Sequence, residues 1–223
     1  MFSLPLIARI TRHRLSPRLL HSRPSLPASC PSCHSPLPSS LPACTNCWTI
    51  SALPSDVTHH QLFGLPYEPN PFSVSVPLLR KRFLLAQTIC HPDAWSCKGP
   101  HKQDVAQALS ARLNGAYQNL LNPLSRAEYI LELNQLPMSE ADQVNDMAFM
   151  SHIMDAREMI EESENKDEIM TLAEDNDARI KGTVAEIERL AGERDWIGVK
   201  EAAIRLRYLE GVRRAVNAWL DNH

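Results

Sequence analysis

Apolar residues between positions 76 and 121 recur every three or four residues, which is the period of an α-helix. The pattern breaks once, so it describes two helices. The first presents Leu79, Phe83, Ala86 and Cys90 on one face, and the second presents Val105, Leu109, Leu113, Ala116 and Leu120. Pro77 suits a first helical turn, where its missing N–H costs no hydrogen bond. We predict two helices of similar length that pack as an antiparallel hairpin.

Helical periods continue through the C-terminal half of the chain. They cover residues 140–164, 167–191 and 195–220, with breaks between them. The second and third of these segments have apolar faces formed by Ile169, Ala173, Ile180, Val184, Ile187 and Ala191, and by Val199, Leu206, Leu209, Val216 and Leu220. Three such helices predict a bundle. Before them, Ser125 and Glu128 have the spacing of a capping box that opens a helix.

The first helix of the predicted bundle has more apolar surface than a bundle needs. One stripe consists of Phe149, Ile153, Ala156 and Ile160, and a second, rotated stripe consists of Met147, Met150 and Met154. On the third helix, Tyr208 lies away from the apolar stripe. Methionines adapt to irregular surfaces, so the second stripe indicates a contact surface for a partner. Packing of that stripe on the preceding hairpin is an alternative that periodicity leaves open.

The first 55 residues differ in composition from the rest of the chain. They contain nine of the 17 prolines, five arginines and no Asp or Glu. An Arg-rich, acid-free segment with Ser and dispersed apolar residues is typical of a mitochondrial transit peptide. A basic arm that binds nucleic acid is the alternative, but the segment lacks Lys. We predict a transit peptide at residues 1–28 and a location in the mitochondrial matrix.

A Pro- and Ser-rich stretch after this segment carries four cysteines in two CxxC pairs, Cys30, Cys33, Cys44 and Cys47. Two residues between sulfurs allow both thiolates to reach one ion, and two such pairs complete a tetrahedral Zn²⁺ site. Two disulfides, or a degenerate pair of CxxC motifs, are the other interpretations. We predict a small zinc knuckle module at residues 29–50.

The hairpin connection contains His91, Pro92 and Asp93, and Pro92 disfavours helical backbone at the residue before it. A catalytic pair needs a concave pocket, which the tip of a hairpin does not offer. A metal site would need further ligands, and only His101 is near in sequence. An imidazole and a carboxylate held on an exposed loop suit recognition by another protein. Three cations on the preceding helix add positive charge: Arg80, Lys81 and Arg82.

Several classes of function are disfavoured by composition. No apolar run approaches the ~18 residues of a membrane span. Seven glycines and no GxGxxG or GxxxxGK motif argue against a nucleotide site. Residues 135–223 carry 11 basic and 20 acidic side chains, a net charge of −9. Without the five N-terminal arginines the chain, of net charge −3, would carry about −8, which disfavours nucleic-acid binding.

These motifs together resemble a known family. The segment DVTHHQLFGL at 56–65, the basic helix, His91-Pro92-Asp93 and the second long helix resemble a J domain over residues 56–134. LFGLP at 62–66, NPLSRAEYIL at 122–131 and the acidic helices beyond resemble the HscB/Jac-type co-chaperones of iron–sulfur cluster assembly. The resemblance implies an all-α chain: a J-domain hairpin with short flanking helices, then a three-helix scaffold-binding domain at 138–223. The zinc module resembles an extension of some eukaryotic members.

The resemblance also implies a function. His91, Pro92 and Asp93 would be the chaperone-activating loop, and Arg80, Lys81 and Arg82 would form the docking face for a mitochondrial 70-kDa-class heat-shock chaperone. Met150, Met154 and Tyr208 would bind the iron–sulfur cluster scaffold protein. The chain would deliver this scaffold to the chaperone and stimulate ATP hydrolysis by the chaperone. The chain would not be an enzyme. Two positions depart from the family pattern: Ala94, where many J domains have Lys, and Ser151, where some members have an apolar residue.

Two rival functions remain at this point. A general J-domain co-chaperone would serve unfolded mitochondrial clients and would not prefer a folded scaffold. A zinc-knuckle nucleic-acid binder would need a basic and aromatic face, which the acidic composition does not supply.

Overall fold

A computed structural model describes residues 28–222, and within them the chain is helical and contains no strand. The helices are α1 (His59–Leu62), α2 (Val76–Cys90), α3 (Pro92–Trp95), α4 (Pro100–Leu121), α5 (Pro123–Leu133), α6 (Met147–Glu162), α7 (Lys166–Glu193) and α8 (Trp196–Asn222). A 3-10 turn at Ser96–Lys98 joins α3 to α4. The predicted all-α class is confirmed. In this part of the chain, no helix has the length and apolarity to cross a membrane.

Helices α2 and α4 form the predicted antiparallel hairpin. Phe83 stacks on Tyr117 with ring centroids 4.1 Å apart, and one turn further along α2 the Gln87 amide donates to Asn114 Oδ1 at 2.8 Å. The contact pairs run in opposite directions along the two helices, as an antiparallel hairpin requires. The predicted faces point inward, with the following residues fully buried: Leu79, Ala86, Cys90, Leu109, Leu113, Ala116 and Leu120.

The N-terminal module packs on this hairpin. Leu41 and Ala43 are buried in the same hydrophobic cluster as the hairpin residues. The linker that follows the module is held by Arg112 on α4, whose guanidinium donates to backbone carbonyls of the linker. Its acceptors are the carbonyl oxygens of Leu53, Pro54, Ser55 and Val57, at 2.7–3.4 Å. The module and the hairpin therefore share one core.

Helices α6, α7 and α8 form the predicted C-terminal bundle. Ile153, Ile187 and Leu206 lie in its buried core, and the Asn176 side chain donates to the Leu209 carbonyl at 3.1 Å between α7 and α8. The sequence did not indicate that α5 belongs to this core as well. Helix α5 packs on α8 and contributes Ala127, Ile130 and Leu131 to the bundle cluster. The last helix of the predicted J domain thus joins the two parts of the chain.

One helix starts later than its apolar period predicts. Helix α6 begins at Met147 and not at residue 140, because Asp146 caps it by accepting from the backbone N–H groups of Ala148 and Phe149. The residues before it are held in an irregular conformation by α8. Arg207 donates to the carbonyls of Ser139 and Asp142, and Lys200 pairs with the Asp142 carboxylate at 3.0 Å.

The predicted capping box at Ser125 and Glu128 is wrong. The N-cap of helix α5 lies three residues earlier, where the Asn122 side chain accepts from the N–H groups of Leu124 and Ser125, and Pro123 occupies the first helical position. Asn followed by Pro satisfies the first turn better than Ser125 can, since Pro needs no acceptor for an N–H.

The predicted transit peptide at residues 1–28 lies outside the described residues apart from Ala28. The sequence prediction for that segment therefore stays a prediction.

Candidate functional site

The four cysteines of the N-terminal module come together in two loops of the same shape. In the first, the Cys30 N–H donates to the Ser35 carbonyl at 2.9 Å and the His34 N–H donates to the Cys30 carbonyl at 3.0 Å. The second repeats these bonds fourteen residues later, from Cys44 to Thr49 and from Trp48 to Cys44, at 2.9 and 3.1 Å. Both loops are closed by an isolated β-bridge. Each loop is therefore a knuckle that turns two sulfurs toward the other loop.

The sulfur positions fit a single tetrahedral metal ion. The four Sγ atoms lie within 4.8 Å of one another, with Cys30 to Cys47 at 3.5 Å and Cys33 to Cys44 at 3.6 Å. Four ligands at ~2.3 Å from Zn²⁺ would stand about 3.8 Å apart, whereas a disulfide brings sulfurs to about 2.05 Å. The cysteines are free thiols. This geometry favours a metal ion over the disulfide alternative.

At two of the four cysteines, neighbouring hydroxyls favour the thiolate form, which is the form that binds metals. Hydrogen bonding from the Ser35 hydroxyl lowers the pKa of Cys33 to about 5. The Thr49 hydroxyl, 3.2 Å from the sulfur of Cys47, lowers the pKa of that thiol as well. Because the thiolate is the ligand, both effects make metal binding easier at neutral pH. His34 is exposed and does not belong to the cluster of ligands.

The His91-Pro92-Asp93 segment lies at the exposed tip of the hairpin, as predicted. The side chains of His91 and Asp93 are 56% and 90% exposed. His91 caps the short helix α3, since its Nδ1 accepts from the Asp93 N–H at 3.3 Å, and the Asp93 carboxylate lies 3.6 Å from the same nitrogen. Gly99, with φ of +100°, lets the chain turn from the 3-10 segment into α4.

This arrangement suits contact with a protein surface better than catalysis. A general acid or base works best when it is shielded from water, and both side chains here face solvent. On the adjoining helix α2, Arg80, Lys81 and Arg82 are all exposed. The loop and these three cations are therefore all accessible to a partner on the hairpin.

The methionine stripe on α6 is accessible to solvent. Met147 is 82% exposed and Met154 is 67% exposed, while Met150 is half-buried. The alternative interpretation was that this stripe packs on the hairpin. Met147 and Met154 are too exposed for that interpretation. Tyr208 is half-buried and meets Phe149 edge to face, with ring centroids 6.3 Å apart. Tyr208 therefore lies beside the start of α6 but also contributes to the bundle core.

The chain has clear relatives in sequence. Residues 145–217 match the family model described as the HSCB C-terminal oligomerisation domain. The chain is 32% identical over 166 residues to the co-chaperone protein HscB homolog of Vibrio vulnificus, covering 72% of this chain and 94% of the relative. This chain belongs to the HscB co-chaperone family. A second HscB homolog, from Mannheimia succiniciproducens, is 33% identical over 154 residues, which is 67% of this chain and 87% of the relative.

Solved HscB structures have the same fold. The crystal structure of human co-chaperone protein HscB matches with a TM-score of 0.74 and 24% identity, over 85% of this chain and 97% of the human chain. Chaperone HscB from Vibrio cholerae matches with a TM-score of 0.66 and 24% identity, over 74% and 99% of the two chains. The order of hairpin and bundle is therefore the HscB arrangement.

Sequence reasoning missed the residues that connect the metal knuckles to the hairpin. Trp48 meets Trp95 edge to face, with ring centroids 5.3 Å apart, and the Lys98 ammonium lies 4.0 Å from the centroid of the Trp48 ring. The position of Trp48 directly after Cys47 was a signal, since the residue after a CxxC pair projects from the knuckle. Apolar periodicity could not reveal the contact between Trp48 and Trp95, because the metal-knuckle module contains no helix.

The knuckle geometry predicts the effect of removing one ligand. Cys44→Ser should lose about one equivalent of bound metal per chain, because three thiolates hold the ion less tightly and the site is coupled to folding of the module. Elemental analysis of the reduced protein measures this loss. Cys97→Ser is the matched control, since the Cys97 thiol is exposed and outside the cluster. Equal metal content in the two variants would contradict the site.

Proposed function

We propose that this HscB-family chain is a J-type co-chaperone of iron–sulfur cluster assembly. It binds the cluster scaffold protein through the C-terminal bundle, delivers it to a mitochondrial 70-kDa-class heat-shock chaperone and stimulates ATP hydrolysis by that chaperone, which promotes cluster transfer. The observation that carries the proposal is the exposed His91-Pro92-Asp93 loop at the tip of a basic hairpin, on a chain whose bundle matches the HscB C-terminal model. ATP hydrolysis occurs in the chaperone, and this chain contributes no catalytic residue.

Three parts of this proposal rest on separate features. The metal in the knuckles is a structural Zn²⁺, which suits four thiolates in tetrahedral geometry. The location is the mitochondrial matrix, which the composition of residues 1–28 favours. The docking face for the chaperone consists of Arg80, Lys81 and Arg82, whose charges would steer encounter with an acidic surface.

Scaffold binding is assigned to the surface formed by Met150, Met154 and Tyr208. Flexible thioether side chains that are already exposed can pack on a folded partner without an energetic cost for exposing the core. The acids on the same helix, Asp155, Glu158, Glu161 and Glu162, are exposed and would mainly attract a basic scaffold face and set the salt dependence.

The main alternative is a general J-domain co-chaperone for unfolded mitochondrial clients. Such a protein would bind many extended peptides, whereas the proposed function requires preference for one folded scaffold. A nucleic-acid binder agrees poorly with the net charge of −9 on residues 135–223.

The loop assignment predicts a variant that folds but does not activate. His91→Gln should abolish stimulation of the chaperone's ATPase while the free energy of unfolding changes by no more than ~0.5 kcal/mol, because the side chain is exposed. The measurements are steady-state ATP hydrolysis and thermal unfolding. His101→Gln, an exposed histidine in the first turn of α4, should stimulate like the wild type. Full stimulation by His91→Gln would overturn the assignment.

The scaffold surface predicts a loss of affinity without a loss of activation. Met150→Ala combined with Met154→Ala should weaken scaffold binding about thirtyfold, because truncation at the centre of an interface costs ~2 kcal/mol or more. Calorimetric titration with the folded scaffold measures this change, and stimulation of the chaperone alone should persist.

A matched pair of exposed methionines serves as the control for this test. Met159→Ala with Met170→Ala removes the same atoms elsewhere on α6 and α7 and should leave scaffold affinity unchanged. Tyr208→Ala needs a parallel unfolding measurement, because its ring packs on Phe149. Unchanged binding by the Met150 and Met154 pair would move the scaffold site to another face of the bundle.

A further inference from the structure

The two metal knuckles have the same backbone but make different contacts. In each, the residue after the second cysteine has left-handed backbone, with φ of +58° at both His34 and Trp48. His34 is exposed to solvent, whereas Trp48 is half-buried against the hairpin. At this position of the turn, the second knuckle therefore presents its side chain to the hairpin and the first presents its side chain to solvent.

Trp48 contacts Trp95, and Trp95 closes the His91-Pro92-Asp93 loop. Trp95 ends helix α3, two residues after Asp93, and is fully buried at 0% exposure. Its indole N–H donates to the carbonyl of Ile89, in the last turn of α2, at 3.0 Å. This hydrogen bond spans His91-Pro92-Asp93 from one side to the other. The position of Trp95 thus fixes how far apart the two ends of the loop stand.

Trp48 covers Trp95 on the side of the knuckles. The two rings meet edge to face, an arrangement that aromatic pairs favour, and Lys98 from the 3-10 turn lies 4.0 Å from the centroid of the Trp48 ring. Left-handed backbone is unfavourable for a tryptophan outside a constrained turn. Trp48 is held in this conformation by the knuckle itself, since its N–H donates to the Cys44 carbonyl at 3.1 Å and the Cys44 N–H donates to the Thr49 carbonyl at 2.9 Å. The sulfurs of Cys44 and Cys47 in the same knuckle belong to the four-cysteine cluster.

We propose that Trp48 is a positioning residue for the His91-Pro92-Asp93 loop, and that it links metal binding in the knuckles to presentation of the loop. This inference rests on the proposed function for its effect on the chaperone, but the structural linkage stands on its own contacts. Linkage between two sites is reciprocal. Metal in the knuckles orders the loop, and a chaperone docked on the loop strengthens metal retention.

Hydrogen exchange in the full-length protein tests the linkage directly. The reporter is the backbone amide of Ala94, which donates to the His91 carbonyl at 3.0 Å inside the loop. In Trp48→Ala this amide should exchange about tenfold faster, within the usual range of coupling between sites. Trp48→Phe, which keeps an aromatic ring, should restore most of the protection. His34→Ala, the equivalent position in the first knuckle, should behave like the wild type.

Two further readouts separate positioning from a general structural role. Trp48→Ala should keep one metal per chain by elemental analysis, and it should raise the concentration needed for half-maximal ATPase stimulation about tenfold with an unchanged maximum. Removing the metal from the wild type with a chelator should accelerate Ala94 exchange by a similar factor. The same treatment of Trp48→Ala should add little, because the connection is already broken.

Each outcome decides between linkage and its absence. Wild-type exchange at Ala94 that does not respond to chelation would overturn the proposal, even if Trp48→Ala proved too unstable to study. Equal acceleration in His34→Ala, or a full further effect of chelation in Trp48→Ala, would also overturn it. If exchange responds as expected while the wild type does not stimulate the chaperone, the linkage stands and the proposed function fails.

Discussion

The buried guanidinium of Arg126 is the constraint on which the arrangement of the two halves depends. Arg126 is 6% exposed and donates to the carbonyls of Leu120 at 2.7 Å, Leu121 at 3.3 Å and Phe72 at 3.0 Å. The guanidinium also lies 5.1 Å from the centroid of the Phe72 ring. Burial lowers the pKa of Arg126. A buried cation is unfavourable unless its donors are satisfied, so the three carbonyls must stay in place.

This constraint fixes the corner between α4 and α5. Two of the acceptors are the last residues of α4, and the third belongs to the loop before α2, so α5 leaves the hairpin in one direction only. Helix α5 then packs on α8 and brings the bundle to the hairpin. Two weaker contacts also connect the bundle to the loop before α2. Arg194 pairs with Glu68 at 2.6 Å, and the Asn70 amide donates to the Glu188 carbonyl at 2.8 Å. The His91-Pro92-Asp93 loop and the exposed methionines Met147 and Met154 therefore lie on parts of the chain that are held in a fixed arrangement.

Much of this could be predicted from local pattern, because a helix face and a pair of CxxC motifs are short-range features. The hairpin faces, the bundle helices and the four-cysteine cluster all follow from spacings of two to four residues. Arg126 could not be found in this way. Its burial depends on carbonyls from α4 and from a loop 54 residues away, and an isolated Arg in a helix usually indicates a solvated position.

The difference between short-range patterns and long-range contacts also explains the smaller errors of the sequence predictions. The apolar period suggested that α6 begins at residue 140. Arg207 and Lys200, which lie 58 to 68 residues away in sequence from the groups they contact, hold residues 139–142 in another conformation. The contact between Trp48 and Trp95 is likewise made only when the module folds onto the hairpin. Long-range hydrogen bonds and ring contacts override local propensity where they can satisfy several groups at once.

The central claim is that this protein brings the folded scaffold to the 70-kDa-class chaperone. Single-turnover ATP hydrolysis by the chaperone tests it most directly. The rate is measured with this protein alone, with the folded scaffold alone, and with both. A co-chaperone that carries the scaffold on the same frame as its activating loop raises the effective concentration of the scaffold at the chaperone. The account predicts that stimulation with both exceeds the product of the two separate stimulations. Stimulation no greater than that product, or equal synergy from an unfolded peptide in place of the scaffold, would contradict it.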